Sequence, residues 1–196
     1  MSARRKPRGE YAKTPKTREA ILASAFAVFS RGGYLNSSMR EIAEGAGMTV
    51  PGMTNHFPTK AVLLEAVLRE RDVDAGAHLA ERTGADLLRG VLEIVTRDEA
   101  DHNLTQLFAV LSAEATMTEH PAHEYFTQRY ELVIDTVRRG FSEAAEAGEL
   151  REGIAPDAAA QYLVALSDGL QLQRLYRVGE HSQAHLMRGF LEGLLR

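Results

Sequence analysis

An all-α fold is predicted by three features of this 196-residue chain. Apolar residues recur every three to four positions, the period of a helix with a buried face. Ser, Thr and Pro stand where those runs begin, and Gly where many of them end. No stretch shows the sustained apolar–polar alternation of a half-buried strand. About nine helices are expected, and no sheet.

Each element follows from local chemistry. Thr14-Pro15 supplies a cap and a first-turn proline, and Ile21, Leu22, Ala25, Phe26, Val28 and Phe29 carry the first helix to Gly32-Gly33. Ser37-Ser38 open a short second helix, with Glu41 placed to form a capping box with Ser38. It closes at Gly45-Ala46-Gly47. Thr49 caps a third short helix through about His56. Pro58 follows, and Thr59 caps a long helix from Lys60 to about Glu81. Further runs span about Ala85 to Thr96, about Asn103 to Thr118, and Pro121 to Ala147. In the last of these, Phe126, Tyr130, Val133, Val137, Phe141 and Ala144 keep helical spacing. Pro156 starts a helix to about Val178, and Ser182 to Arg196 forms the last.

Charge is divided unevenly along the chain. Residues 1–60 hold ten Lys/Arg and four Asp/Glu, a net of +6; the other 136 hold thirteen Arg and twenty-three acids, a net of −10. A basic head concentrates polyanions and an acidic body repels them, so the simplest partner of the head is nucleic acid. No apolar run approaches the roughly 20 residues that span a bilayer, and the N-terminus lacks an apolar signal region. There is no cysteine, hence no disulfide or thiolate chemistry. A cytoplasmic protein without membrane contact is expected. There is no Gly-rich phosphate loop and no G-x-S-x-G, so no enzyme activity, catalytic residue or cofactor is expected. His120, His123 and Glu124 are the one tempting metal cluster. They lack thiolate companions and zincin spacing, and are expected to be solvated loop residues with no metal.

Residues 38–57 place two short helices around a tight glycine-bearing turn, the helix-turn-helix plan. The second helix of such a unit enters the major groove while the first braces it. Ile42 and Ala43 should point inward with Met48 and Met53. The run from Thr17, with AILASAFAVFSRGGY, SSMREIAEGAGMT and HFPTK in order, resembles the DNA-binding domain of the TetR family of transcriptional regulators over about fifty residues without a gap. The resemblance implies an all-helical homodimer whose second domain binds a small molecule and controls DNA affinity. Three parts are expected: a basic arm (1–13), a helix-turn-helix domain (14–58), and a ligand-binding and dimerisation domain (59–196).

Residue by residue, the resemblance implies phosphate contacts from Ser37 and Ser38, and a DNA contact from Arg40. It places Thr49, Val50 and Pro51 at the start of the recognition helix. Asn55 and His56 continue that helix. Thr54 stands where the family usually has a backbone-contacting tyrosine. Lys60 matches a family lysine at the start of the fourth helix. A lysine at a helix N-terminus opposes the macrodipole, and a phosphate held there would reverse that penalty. The arm residues Arg4, Arg5, Lys6 and Arg8 could enter a minor groove or remain a solubilising tail.

In the body, the last two helices are apolar on more than one face, which implies burial against a further partner. A two-fold dimer through Leu163, Leu166, Leu170, Tyr176, Leu186, Phe190 and Leu194 explains both helices. The segment LVALSDGLQLQRLY resembles a subset of the family from high-GC bacteria, many of which are apolar where this chain has Arg174. His102, Phe108, Leu111, Met117, Phe126, Tyr130 and Gln171 are candidate pocket residues for a mostly apolar effector. The leading reading is a repressor released from a palindromic DNA operator by a small molecule. A helical ligand-binding protein, or an architectural DNA-binding protein without ligand control, remain the alternatives.

Overall fold

A computed structural model describes residues 15–196, so the basic arm and the Thr14 cap lie outside the described residues. Nine α-helices and no strand are found among them: α1 (Pro15–Gly32), α2 (Met39–Gly45), α3 (Val50–Thr54), α4 (Lys60–Leu79), α5 (Gly84–Glu99), α6 (His102–Glu114), α7 (His123–Glu146), α8 (Pro156–Leu175) and α9 (Gln183–Leu194). The side chains of Ser38, Thr49, Thr59, Asp101 and Ser182 accept first-turn N–H groups and fix the starts of α2, α3, α4, α6 and α9.

Two expectations are corrected. The capping box is half formed: Ser38 Oγ accepts the Glu41 N–H at 3.1 Å, but the Glu41 carboxylate pairs with Arg31 at 3.1 Å. Helix α6 stops at Glu114 rather than Thr118, and α7 starts at His123 rather than Pro121. Between them the backbone makes consecutive turns, His120 N–H to Met117 O and His123 N–H to His120 O, which carry His120 and Ala122 into the interior.

Two apolar clusters organise the molecule. The first joins Ile21 and Phe29 of α1, Ile42 of α2 and Met53 of α3 to Leu63, Leu64 and Leu68 of α4. It continues without a break into Leu107 and Leu111 of α6 and Phe126 of α7. The division expected at residues 58 and 59 is therefore no gap in packing, since the first two to three turns of α4 belong to the head core. The second cluster packs Leu88 and Leu92 of α5, Phe141 and Ala144 of α7, Ala160 and Leu163 of α8, and Met187 and Leu191 of α9.

Candidate nucleic-acid interface and body cavity

Helices α2 and α3 are held by their buried sides. Ile42, Ala43 and Met53 are enclosed in the head core, with Met48 packed against them, as the turn requires. Gly47 sits at φ +68° in that turn, a conformation that L side chains rarely adopt. What remains outside is the face expected to read DNA. Arg40, Pro51 and Asn55 are exposed, as are Ser38 and Thr49. Both cap hydroxyls accept backbone N–H groups, which leaves each O–H free to donate to an anion. Among the described residues Arg40 pairs only with Glu44, at 3.5 Å on the surface, a contact weak enough to exchange for phosphate. Val50, Thr54 and His56 are half-buried, and the Thr54 hydroxyl donates to Pro51 O at 3.1 Å.

Two residues expected on phosphate face inward instead. Ser37 is buried and its hydroxyl donates to Tyr34 O at 2.8 Å. Lys60 donates to Tyr34 O at 2.6 Å and Ser37 O at 2.8 Å, with its ammonium 4.1 Å from the centre of the Tyr34 ring. Its charge is satisfied by two carbonyls and an aromatic face, so it clamps the loop between α1 and α2. Burial lowers its pKa, opposed by the Glu114 carboxylate.

That carboxylate belongs to a joint between head and body. Glu114, the last residue of α6, accepts the Tyr34 N–H at 2.7 Å. A Cβ at Gly33 would fall 2.2 Å from Glu114 Oε1, so the close approach needs glycine, as does its φ of +69°. His120 stacks edge-on against Tyr34, 5.1 Å between centroids, and its Nε2 lies 3.6 Å from Glu114 Oε2. Its Nδ1 accepts the Ala122 N–H. The expectation of solvated loop histidines is thus corrected: His120 is buried against the head, and His123 Nδ1 bonds Ala115 O at 2.8 Å. Burial lowers the His120 pKa, and Glu114 only partly offsets it. Among the described residues no group of side chains is arranged to hold a metal ion.

Behind this joint lies a cavity of about 380 Å³ between α4, α5, α6, α7 and α8, closed at one side by α9. Of the candidate pocket residues, Phe108, Phe126, Tyr130 and Gln171 line this cavity. Leu111 does not, because its turn of α6 faces the head core; Met117 is 47% exposed in the following turn, and His102 is exposed at the start of α6. The wall also holds Arg71, Asp72, Asp98, Glu99, Ser112, Arg129 and Asp168, which apolar spacing could not reveal. Arg71 pairs with Asp98, and Arg129 with Asp72 at 2.7 Å. Glu99 accepts from Arg174 at 2.9 Å and from the N–H groups of Gln183 and Ala184, which start α9. The arginine that departs from the apolar pattern of the family subset is therefore the partly exposed partner of the buried Glu99.

Exposed apolar residues cluster on α8 and α9, while Val73 of α4 and Leu132 of α7 are exposed singly. Tyr162, Leu172 and Tyr176 are 64%, 52% and 74% exposed, beside exposed Ala165 and Gly169. Leu186 is exposed on α9, and Phe190 and Leu194 are half-buried. Of the residues expected at a dimer interface, Leu163 is corrected to core and cavity wall, and Leu166 and Leu170 are half-buried against the body cluster. Tyr162, one turn before Ala165 on the same exposed face, was not among the residues expected there.

Comparison with known proteins matches these two regions separately. The family model described as "Bacterial regulatory proteins, tetR family" covers residues 21–67, and that described as "BetI-type transcriptional repressor, C-terminal" covers 84–196. The chain belongs to the TetR family. The first match ends inside α4. A relative in Corynebacterium efficiens, the HTH-type transcriptional repressor AcnR, is 23% identical over 157 residues, 80% of this chain and 81% of that one. Among solved structures, Salmonella enterica GusR superposes with a TM-score of 0.73 at 26% identity, covering 95% of this chain and 99% of its own. A transcriptional regulator from Saccharomonospora viridis, solved in complex with choline, gives 0.77 at 21% identity over 92% and 98%. The two family models and the Corynebacterium efficiens relative are described as transcriptional regulators or repressors. No helix of the described residues is long and apolar enough to cross a membrane.

Proposed function

We propose that this protein is a homodimeric repressor that binds a two-fold symmetric operator and is released by a small molecule in the body cavity. One observation carries the reading: a single helix, α6, lines the cavity with Leu104, Thr105, Phe108 and Ser112 and ends in Glu114, which holds the head loop. A ligand that shifts α6 therefore shifts the head. The α4 helix adds a second connection, with Leu63 and Leu64 in the head core and Ala75, Gly76 and Leu79 on the cavity wall.

The reading face supplies Ser38, Arg40, Thr49, Pro51 and Asn55 to DNA, with the half-buried Val50, Thr54 and His56 at its margin. The apolar residues among them suit thymine methyls, and Asn55 suits adenine edges or phosphate. The exposed α8 and α9 faces, where Gly169, Gly189 and Gly193 have open space beside them, allow close approach of a second copy. Two copies of α3 then face two half-sites. Heads at the wrong spacing cannot both engage, so the ligand need only favour a mismatched arrangement.

Selection from a random duplex pool tests this reading. The expected product is a palindrome with half-site centres about one helical turn apart or slightly more, roughly 34–36 Å. Recovery of a single asymmetric half-site, bound by a monomer, would contradict it.

A further inference from the structure

The body is acidic, yet four of its arginines, Arg89, Arg151, Arg188 and Arg196, line one surface crevice of about 290 Å³. Its floor is apolar, formed by the buried Leu92, Leu191 and Leu195. It shares no lining residue with the body cavity. The fold places each arginine. Arg89 is on α5 and Arg188 on α9, whose apolar sides meet in the second cluster. Arg188 follows Leu186 by two residues, about 200° around the helix, so it is turned away from the exposed apolar side of α9. The segment after α7 pairs antiparallel with the end of α9. Leu150 bridges Leu195, the Arg151 N–H donates to Leu194 O at 2.9 Å, and the Arg196 N–H donates to Glu149 O at 2.8 Å. Arg151 Nε donates to Leu195 O at 3.1 Å, which holds the stem and leaves both Nη groups for another partner.

Among the described residues the guanidinium groups of Arg89 and Arg188 make no hydrogen bond or ion pair, and Arg151 makes no ion pair. Arg196 pairs with the exposed Glu152 at 3.2 Å. Glu192 lines the crevice too; with Glu152 and the chain end it sets at most three negative charges against four guanidinium groups. Like charges repel, and most strongly beside apolar surface, so this gathering opposes stability. A departure of that kind from the rest of an acidic body marks a site kept for function. We propose that the crevice binds a small multivalent oxyanion, whose phosphoryl or carboxylate oxygens are held jointly by Arg89, Arg151 and Arg188. The guanidinium fork matches either oxyanion with paired hydrogen bonds. Three such forks without ion partners call for more than one anionic centre. The site stands apart from the operator and effector readings, since neither the head nor the body cavity contributes to it.

Calorimetry of the full chain at about 0.15 M salt, with pyrophosphate, tricarballylate and acetate as probes, tests it. Pyrophosphate or tricarballylate should bind at least about tenfold more tightly than acetate, and the tighter of the two assigns the site to phosphoryl or carboxylate groups. The bound anion ties α5 to α9 and should raise the melting temperature. Arg89→Gln combined with Arg188→Gln should weaken that binding by about tenfold or more, since hydrogen bonds to charged groups are lost. Arg97→Gln combined with Arg138→Gln makes the same change in net charge outside the crevice. It should weaken binding by less than about twofold, because exposed charges at a distance are screened. The first pair should also leave operator affinity within about twofold, as arginines that meet no duplex phosphate. Failure of both multivalent anions to bind, equal binding of acetate, or equal losses in the two double variants would each overturn the proposal. So would binding of hexaglutamate alone, which would assign the crevice to an acidic peptide, or a large loss of operator affinity in the first pair, which would assign it to the duplex.

Discussion

The head and the body of this chain are packed to different standards. The head encloses Phe29, Ile42, Met53 and Phe57 almost completely, around two helices of seven and five residues. The body has longer helices and leaves about 380 Å³ open among them. Short helices hold their shape only through tertiary packing, so a reader made of them must be tight. A sensor must have room. On the function proposed above, the contrast gives rigidity to the part that meets a fixed duplex and compliance to the part that meets a variable ligand.

Truncation should break this contrast first. Phe29→Ala removes a fully buried ring from the head and should cost about 3–5 kcal/mol in denaturant unfolding. Leu104→Ala, at the cavity wall, should cost roughly 1–2 kcal/mol, because its side chain borders existing space. Equal costs would mean that the cavity collapses in solution and the body is as tight as the head.

The seam between the regions is sharpened by two glycines of nearly equal φ. Gly33→Ala meets both the left-handed penalty and the Glu114 carboxylate, while Gly47→Ala meets open space. The Gly47 change should cost roughly 1–2 kcal/mol, the left-handed penalty alone. The Gly33 change should cost more and also weaken operator binding, since Glu114 must leave Tyr34. Equal losses in stability would show that the joint yields freely and transmits nothing.

Within the head, Lys60 and Arg40 part company. Arg40→Ala should leave the melting temperature within a degree or so and flatten the salt dependence of operator binding by about two log units per log unit for a dimer. Lys60→Ala should lower stability, by roughly 1.5–3 kcal/mol for hydrogen bonds from a charged donor, and change that slope little. A lost slope with unchanged stability in Lys60→Ala would return the lysine to the phosphate.

The smallest expected effect is at His120. Its folded pKa lies below the unfolded value, so the unfolded chain binds more protons as pH falls through the ordinary histidine range. Its contribution is therefore fully present above that range and is lost on acidification. Lowering the pH from 7.5 to 5.5 should reduce the melting temperature more in the wild type than in His120→Gln.

How much was legible in the sequence divides along the same line. Helix order and the inward set Ile42, Ala43 and Met53 were readable because caps, glycines and apolar spacing are local signals. Ser37 and Lys60 were not. A hydroxyl or ammonium near a helix start suits an anion and a carbonyl equally, and only the fold brings Tyr34 O within reach. Phe108, Phe126 and Tyr130 were found on the cavity as apolar residues on inward faces. Arg71, Asp98 and Asp168 were not, because a charged residue on an amphipathic helix ordinarily marks the solvated side. Leu163 was assigned outward because two apolar stripes on one helix do not say which is covered by the same chain.

The central claim is that operator binding by the head and the state of the cavity are coupled through α4 and α6. Hydrogen exchange in the free protein and in its complex with the selected duplex tests this without any ligand, since coupling between sites is reciprocal. Exchange should slow across residues 38–56 and also change around Ala75–Leu79 of α4 and Leu104–Glu114 of α6, where local opening reports on the cavity wall. Changes confined to residues 15–60, with α6 and the distal half of α4 unaffected, would contradict the account.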